Sequence, residues 1–147
     1  MLTYKEKFAF PLDAIVSSTY NNTTTIKGIN KIEANDIIKD IGAKTLTKYK
    51  DILDNSETIF INGTMGVYEE KEFKNGTTEI FNILSKYPEK VVIGGGDTIS
   101  ALNNLGFRGK FENISSGGGA TLEFIANGTL PGIEAIMEDD GIEVLDL

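Results

Sequence analysis

The 147-residue chain contains 22 aspartates and glutamates against 14 lysines and arginines, with no histidine and no cysteine. The missing residue types exclude Ser-His-Asp and Cys-His catalysis, disulfides and thiolate metal sites within this sequence. A formal net charge of −8 argues against a nucleic-acid partner, because contact with a phosphate backbone needs an excess of lysine and arginine. Any bound metal would be held by oxygen atoms, which favours Mg2+.

The first third of the chain contains few signals of regular structure before its first helix. Residues 8–16 are predicted to be extended, with an interruption at Pro11, and the polar residues 17–32 are typical of a surface connection or an exposed ribbon. The first ten residues contain no continuous apolar run, so neither a signal peptide nor a membrane anchor is predicted. We therefore expect a cytoplasmic protein without a membrane partner. Apolar side chains at helical spacing predict a helix from Ala43 to Leu53.

From residue 58 onward, predicted strands and helices alternate. The strands are expected over residues 58–61, 91–93 and 110–115, and the helices over 72–86, 98–105, 120–126 and a short segment that opens at Pro131. This alternation predicts an α/β fold with a parallel sheet and helices on its faces. We expect one domain over residues 1–137, followed at 138–147 by an acidic tail or an added edge strand.

Three successive strands are each predicted to end in a glycine-rich turn. The turns are Asn62-Gly63, Gly94-Gly95-Gly96-Asp97 and Ser115-Ser116-Gly117-Gly118-Gly119. Ligands of an open parallel sheet bind outside the carboxyl ends of its strands, and a helix that begins there presents unpaired N–H groups. The second and third turns are therefore predicted anion cradles, suited to a phosphate in transfer. The alternative interpretation is that the glycines only permit tight turns and helix starts.

Two acidic side chains near these turns have both a structural and a functional interpretation. Asp97 stands at a helix start, where aspartate is commonly an N-cap, but it is also well placed to hold Mg2+ on nucleotide phosphates. Glu69 would by default be a solvated loop carboxylate. Neither a Walker motif nor a Gly-x-Gly-x-x-Gly fingerprint is present to decide between these interpretations.

At these turns the sequence resembles the phosphoglycerate kinase family. Residues 62–69, Asn-Gly-Thr-Met-Gly-Val-Tyr-Glu, are similar to that family's Asn-Gly-Pro-Met/Val-Gly-Val-Phe-Glu, and residues 93–98 match its Ile-Gly-Gly-Gly-Asp-Ser/Thr. Residues 114–123, Ile-Ser-Ser-Gly-Gly-Gly-Ala-Thr-Leu-Glu, match Ile-Ser-Thr-Gly-Gly-Gly-Ala-Ser-Leu-Glu, with weaker similarity at 11–13 and 40–43. The resemblance extends over residues 8–136 and implies a partial doubly wound, Rossmann-like sheet. It corresponds to the second half of the family's C-terminal, nucleotide-binding domain.

The resemblance also implies an activity and a set of site residues. The family transfers a phosphate between 1,3-bisphosphoglycerate and ADP in glycolysis, with Mg2+, between two hinged domains. The nucleotide site (ADP or ATP) implied by position is formed by Gly42 near adenine, Asn62, Gly63, Gly66, Val67, Glu69 at the ribose, Gly95, Gly96, Asp97 and Thr98, with Asp97 also as metal ligand. The implied catalytic groups around the transferred phosphate are Gly96, Gly117, Gly118 and Gly119, and the implied substrate contacts are Ser116, Gly117 and Gly118.

Two parts of the family pattern have no counterpart in these residues. They are the N-terminal domain with its basic patch and the Gly-Gly-Ala-Lys-Val-x-Asp-Lys segment that supplies lysines to the phosphates. We therefore expect that this chain alone is not a competent kinase and that its sheet has an exposed edge. Three hypotheses stay open: an enzyme portion completed by another chain, a nucleotide-binding module without turnover, and a scaffold that associates with itself through the open edge.

Overall fold

The computed structural model describes residues 4–19 and 23–137. The strands are β1 (Asp13–Ser18), β2 (Thr24–Gly28), β3 (Asp36–Ile41), β4 (Ile59–Asn62), β5 (Val91–Gly94) and β6 (Asn113–Ser115). The α-helices are α1 (Ala43–Asp54), α2 (Asn75–Leu84), α3 (Gly96–Asn104), α4 (Gly118–Asn127) and α5 (Pro131–Met137). The predicted tail or edge strand at 138–147 lies outside the described residues. Within the described ranges, no helix has the length and apolarity to cross a membrane.

The front of the chain forms a small antiparallel sheet in the order β2-β1-β3. Its central strand buries Ala14 and Val16, whereas β2 is largely exposed, which confirms the expectation of an exposed ribbon. Strand β3 was not predicted, because Lys39 and Asp40 interrupt its apolar pattern. It exists through tertiary pairing with β1, which places Asp40 opposite Ile15.

The second half of the chain forms a parallel sheet in the order β4-β5-β6, as the alternation of strands and helices predicted. Ile59 and Ile61 of β4 lie opposite Val91 and Ile93 of β5. Because side chains alternate along a strand, these four residues share one face of the sheet. The fold is therefore the predicted α/β class, with an additional antiparallel sheet.

An apolar core lies on that face. The helical residues packed there come from α2 (Ile80, Phe81, Ile83, Leu84), from α3 (Ala101, Leu102) and, partly buried, from α1 (Leu46, Tyr49, Leu53). Phe81 meets Phe107 with ring centroids 5.4 Å apart. Phe60 and Val92 alternate to the opposite face of the sheet and are only half-buried. Full burial of a side chain such as Phe81 contributes about 1.5–3 kcal/mol, so this one-sided core supplies much of the stability.

The parallel register brings the carboxyl ends of the three strands together. Asn62 of β4 pairs with Gly94 of β5, and Gly94 pairs in turn with Ser115 of β6. The three glycine-rich turns therefore follow one another along a single edge of the sheet. Among the described residues, β4 pairs with β5 alone, so its other side is a free edge.

Candidate functional site

The side chain of Asn62 joins the three turns. A Cβ atom placed on Gly95 would lie 2.4 Å from the Asn62 Oδ1 atom, and one placed on Gly118 would lie 2.5 Å from the same atom. Gly95 also has a φ of +89°, a backbone conformation that residues with a side chain rarely adopt. The absence of side chains at Gly95 and Gly118 thus permits the second and third turns to close on Asn62.

The first turn is tied to helix α3 by a hydrogen bond. The Gly63 N–H donates to the Thr98 Oγ1 atom at 2.7 Å, and the Thr98 side chain is buried. Thr98 is predicted to contact nucleotide, but its hydroxyl faces the protein and orients the turn. The backbone N–H of Thr98 is still available at the helix end.

Helix α3 begins with unpaired backbone donors. Gly95 is the N-cap residue, and the first helical hydrogen bond runs from the Ile99 N–H to the Gly95 carbonyl at 3.1 Å. The N–H groups of Gly96, Asp97 and Thr98 consequently have no backbone acceptor among the described residues. We call these three groups the α3 cradle. A Cβ on Gly96 would meet open space, so the cradle is accessible to a ligand.

The structure corrects the N-cap interpretation of Asp97. Gly95 occupies the N-cap position, and Asp97 lies in the first turn of α3 with an exposed side chain. Within residues 4–19 and 23–137, its carboxylate has neither a hydrogen-bond partner nor an ion-pair partner. An exposed carboxylate without a protein partner can hold a divalent cation. Within those ranges, no cluster of three or more acidic side chains is arranged to hold a metal by itself.

Helix α4 begins in the same way beside the first cradle. Gly117 is its N-cap residue and its carbonyl accepts the Thr121 N–H at 2.8 Å. The N–H groups of Gly118, Gly119 and Ala120, here called the α4 cradle, are likewise without a backbone acceptor in the described part of the chain. A Cβ on Gly118 would lie 2.8 Å from the Gly95 nitrogen, so the two helix ends are in contact. Ser116, the predicted substrate contact, is exposed at this end.

The loop from Gly63 to Val67 leads away from the cradles to the antiparallel sheet. Gly63 has a φ of +102°, and the Val67 N–H donates to the Lys39 carbonyl of β3 at 2.9 Å. Gly66 packs against a buried carboxylate, because a Cβ there would lie 2.4 Å from the Asp40 Oδ1 atom. The residues of this loop that were predicted to bind nucleotide therefore lie along one stretch of chain that connects the cradles with β3.

Gly42, predicted near adenine, has a structural function at the start of α1. A Cβ on Gly42 would lie 2.3 Å from the Asp13 Cγ atom. The buried Asp13 carboxylate accepts the Lys44 and Thr45 N–H groups at 3.2 and 2.8 Å and the Thr45 hydroxyl at 2.7 Å. Burial raises the pKa of Asp13, but the hydrogen bonds from Thr45 and Lys44 outweigh burial and leave the pKa below its ordinary value.

Asp40 performs the equivalent function at the start of α2. Its Oδ2 atom accepts the Gly76 N–H at 2.8 Å, and its Oδ1 atom accepts the Ile41 N–H at 2.8 Å. The side chain is buried, and this burial raises the pKa of Asp40 despite the two amide donors. Sequence analysis did not assign Asp13 or Asp40, although both lie in the segments of weaker resemblance at 11–13 and 40–43.

Glu69, predicted at the ribose, lies apart from the cradles. It lines a cavity of about 380 Å3 together with Tyr68, Lys71, Lys74, Asn104 and Leu105. Asn104 is the last residue of α3, whereas the α3 cradle is at the first turn of that helix. The nine-residue helix is about 13 Å long, so Glu69 is not part of the same cluster. Lys71 and Lys74 bring cationic groups to this cavity. The sequence analysis did not assign a function to either lysine.

The fold is an open α/β domain in which two helix N-termini meet at one glycine-lined edge, and comparison with known proteins identifies its family. A family model of phosphoglycerate kinase matches residues 1–128. The phosphoglycerate kinase of Leptospira biflexa serovar Patoc is 40% identical over 129 residues, which are 86% of this chain and 33% of that relative. That of Dictyoglomus turgidum is 40% identical over 136 residues, 90% of this chain and 34% of the relative. The chain belongs to the phosphoglycerate kinase family.

Solved structures of the same family share the fold. Phosphoglycerate kinase from Coxiella burnetii superposes with a TM-score of 0.74 at 33% identity, covering 86% of this chain and 33% of that one. The enzyme from Pyrococcus horikoshii OT3 also gives a TM-score of 0.74 at 33% identity, covering 92% of this chain and 34% of that one. The chain thus spans about a third of the length of the relatives that it matches.

Proposed function

We propose that the chain binds Mg-ADP or Mg-ATP, with the nucleotide phosphates held between the α3 and α4 cradles. The observation that carries this proposal is the convergence of Gly95 and Gly118 on Asn62, which sets two helix N-termini side by side. Each N-terminus offers three N–H groups and the positive end of a helix dipole, a combination that favours phosphate. Asp97 would hold the Mg2+ ion that accompanies the nucleotide, and the ion would neutralise part of the phosphate charge.

The rest of the nucleotide follows the loop that leads from the cradles to β3. The family resemblance assigns the ribose to Glu69 and the adenine to the neighbourhood of Gly42, with Gly66 and Val67 along the way. The hydrogen bond from Val67 to Lys39 holds this loop against β3 and supports that direction. The two ends of the nucleotide would therefore be bound by different parts of the chain.

In a phosphotransferase acting on 1,3-bisphosphoglycerate or 3-phosphoglycerate, the same cradles would act on the transferred group. Phosphoryl transfer relies on positioning and on stabilisation of charge. Gly96 and Gly117–Gly119 would donate N–H groups to the phosphate, and Ser116 would contact the substrate. Mg2+ supplies charge neutralisation when it is bound.

Catalytic turnover needs cationic side chains that these elements lack. Strand β5, helix α3, strand β6 and helix α4 contain no lysine or arginine. Loss of one transition-state contact commonly costs about 3 kcal/mol, so we propose that this chain binds nucleotide but does not turn over alone. A separate chain that supplies the cations would restore activity.

A second candidate function is a self-associating scaffold, and the free edge of β4 is the observation that favours it. An apolar cavity of about 270 Å3 lies along this edge, lined by residues such as Ile52, Phe60 and Leu84. An unpaired strand edge beside an apolar cavity is suited to the addition of a strand. The strand could come from a complementing chain or from a second copy.

Isothermal titration of the full chain with Mg-ADP and Mg-ATP tests the nucleotide proposal. We expect saturable binding that is lost in Asp97→Ala and kept in Asp51→Ala, which removes an exposed carboxylate of α1 far from the cradles in sequence. Sedimentation of the same samples tests the scaffold. Absence of nucleotide binding together with a stable oligomer would favour the scaffold over the nucleotide module.

A further inference from the structure

The loop over residues 63–67, which connects the cradles with β3, is held by hydrogen bonds to three different elements. Its backbone N–H groups donate to a side chain of α3, to a side chain of α2 and to a carbonyl of β3. The bonds run from Gly63 to Thr98 Oγ1 at 2.7 Å, from Met65 to Thr77 Oγ1 at 3.1 Å and from Val67 to the Lys39 carbonyl at 2.9 Å. Every second residue of a loop without regular secondary structure is therefore fixed in place.

The middle bond depends on Thr77, a residue without an assigned function in the sequence analysis. Thr77 lies in the first turn of α2, and it is only 1% exposed. Threonine is less favourable than alanine inside a helix, and a buried hydroxyl without a partner costs free energy. The contact with Met65 accounts for a threonine at this position, because the hydroxyl accepts an N–H group of a partly buried loop.

The buried carboxylate of Asp40 fixes the position of Thr77 relative to the loop. Its Oδ2 atom accepts the N–H of Gly76, the residue directly before Thr77, at 2.8 Å. The same side chain lies against the loop, because a Cβ on Gly66 would be 2.4 Å from the Asp40 Oδ1 atom. The start of α2 and the loop are thus in close contact at Gly66 as well as at Met65.

The two cradles are formed independently of Thr77. They lie at the N-termini of α3 and α4, and their turns close on Asn62 through Gly95 and Gly118. Within the described residues, the Thr77 hydroxyl bonds to Met65 and to no group of the cradles. Loss of this hydroxyl would therefore release the loop and leave the N–H groups of the cradles in place.

We propose that Thr77 is a positioning residue of the nucleotide site, acting through Met65 on the loop that carries Gly63, Gly66 and Val67. This role rests on the proposed function, in which the part of the nucleotide beyond the phosphates follows this loop. Thr77 itself does not touch the nucleotide. Its hydroxyl fixes the loop backbone before the ligand binds, and a loop already in place loses less conformational freedom on binding.

Titration calorimetry of the full chain with Mg-ADP and Mg-pyrophosphate tests this role. Thr77→Val removes the hydroxyl and keeps the shape of the side chain, so it should weaken Mg-ADP about tenfold and leave Mg-pyrophosphate within about twofold. Thr77→Ser keeps the hydroxyl and should bind Mg-ADP within about threefold of the wild type. Ile83→Val is the matched control, since it shortens another buried side chain of α2. It should lower the stability measured by urea denaturation without weakening either ligand.

Hydrogen exchange of the ligand-free, 15N-labelled chain measures the hydrogen bond itself. The Met65 amide should exchange about tenfold faster in Thr77→Val than in the wild type, because its acceptor is lost. Thr77→Ser should restore slow exchange. Equal exchange of this amide in the wild type and in Thr77→Val would overturn the proposal, whichever ligand binds.

The titrations separate failure of this role from failure of the proposed function. Equal weakening of Mg-ADP and Mg-pyrophosphate in Thr77→Val, or the same loss of Mg-ADP in Ile83→Val, would show that Thr77 only stabilises the fold. Unchanged Mg-ADP binding in Thr77→Val would refute the positioning role and leave the proposed function intact. A wild type that binds neither ligand would refute the proposed function, and the positioning role with it.

Discussion

The N-termini of helices α1 and α2 differ from those of α3 and α4 in what their N–H groups bind. At α1 the donors of Lys44 and Thr45 are taken by the buried carboxylate of Asp13. At α2 the donor of Gly76 is taken by Asp40. The cradles of α3 and α4 have no such protein acceptor within the described residues.

Glycine serves opposite purposes at the two kinds of helix start. Gly42 and Gly76 leave room for a protein carboxylate, since a Cβ at either would lie within 2.3 Å of Asp13 or Asp40. At Gly96 and Gly119 a Cβ would meet open space. The protein thus supplies its own anion to two helices, and the other two can accept an anion from outside. This contrast separates glycines that stabilise the fold from glycines that form a site.

The largest expected effect is on stability, at the helix N-termini whose N–H groups are bound by a buried carboxylate. Asp13→Ala leaves the Lys44 and Thr45 N–H groups without their charged acceptor in a buried position. We expect the free energy of unfolding, measured by urea denaturation, to fall by about 3 kcal/mol. Asp51→Ala, an exposed change in the same helix, should alter it by less than about 0.5 kcal/mol. A loss below about 1 kcal/mol in Asp13→Ala would contradict this function of Asp13.

The next largest effect is expected when two adjacent glycines of α4 are each replaced by alanine. Gly118→Ala places a methyl group against Asn62 and the Gly95 backbone, so we expect about 2 kcal/mol of destabilisation and a loss of Mg-ADP binding. Gly119→Ala places the same group in open space and should be neutral or stabilising by up to about 1 kcal/mol. Denaturation and calorimetry on both variants make the comparison. Equal effects would show that Gly118 does not hold the turns together.

The two buried carboxylates, Asp13 and Asp40, should make the free energy of unfolding change with pH in opposite directions. The pKa of Asp13 is lowered by folding, so its stabilisation is present above the unfolded pKa and is lost as the pH falls through the folded pKa. The pKa of Asp40 is raised, so its contribution is most favourable below the unfolded pKa and is lost as the pH rises through the folded pKa. From pH 3 to pH 7, the wild type should therefore gain stability relative to Asp13→Asn and lose it relative to Asp40→Asn. Urea denaturation across this range measures both slopes, and slopes of the same sign would be inconsistent with this account.

The smallest expected effect concerns the far end of the nucleotide. If Glu69 holds the ribose, Glu69→Gln should weaken Mg-ADP about fivefold, as expected for one hydrogen bond, and leave Mg-pyrophosphate unchanged. Asp97→Ala should weaken both ligands. Titration calorimetry with the two ligands makes this distinction, and equal weakening of pyrophosphate by Glu69→Gln would place Glu69 at the phosphates.

Features encoded in short stretches of sequence could be predicted. The alternation of strands and helices after residue 58 could be predicted because it depends on adjacent residues. The same holds for the glycine-rich turns that begin at Asn62, Gly94 and Ser115. Their alignment along one edge followed from the rule for parallel sheets and is confirmed by the pairing of Asn62, Gly94 and Ser115.

Features that depend on distant residues could not be predicted. Asp13 caps a helix 32 residues further along the chain, and Asp40 caps one that is 36 residues away. Strand β3 was missed for a related reason, since its polar Asp40 is turned inward by a partner that no local pattern shows. The separation of Glu69 from the cradles likewise depends on where the end of α3 packs.

Amide chemical shifts of the 15N-labelled chain, followed while Mg-ADP is added, test the central claim most directly. The account predicts the largest changes at residues 96–98 and 118–120, the N–H groups of the two cradles, with little change at Lys44, Thr45 and Gly76. Changes confined to other residues, or none at millimolar Mg-ADP, would contradict the assignment of these helix ends to an external phosphate.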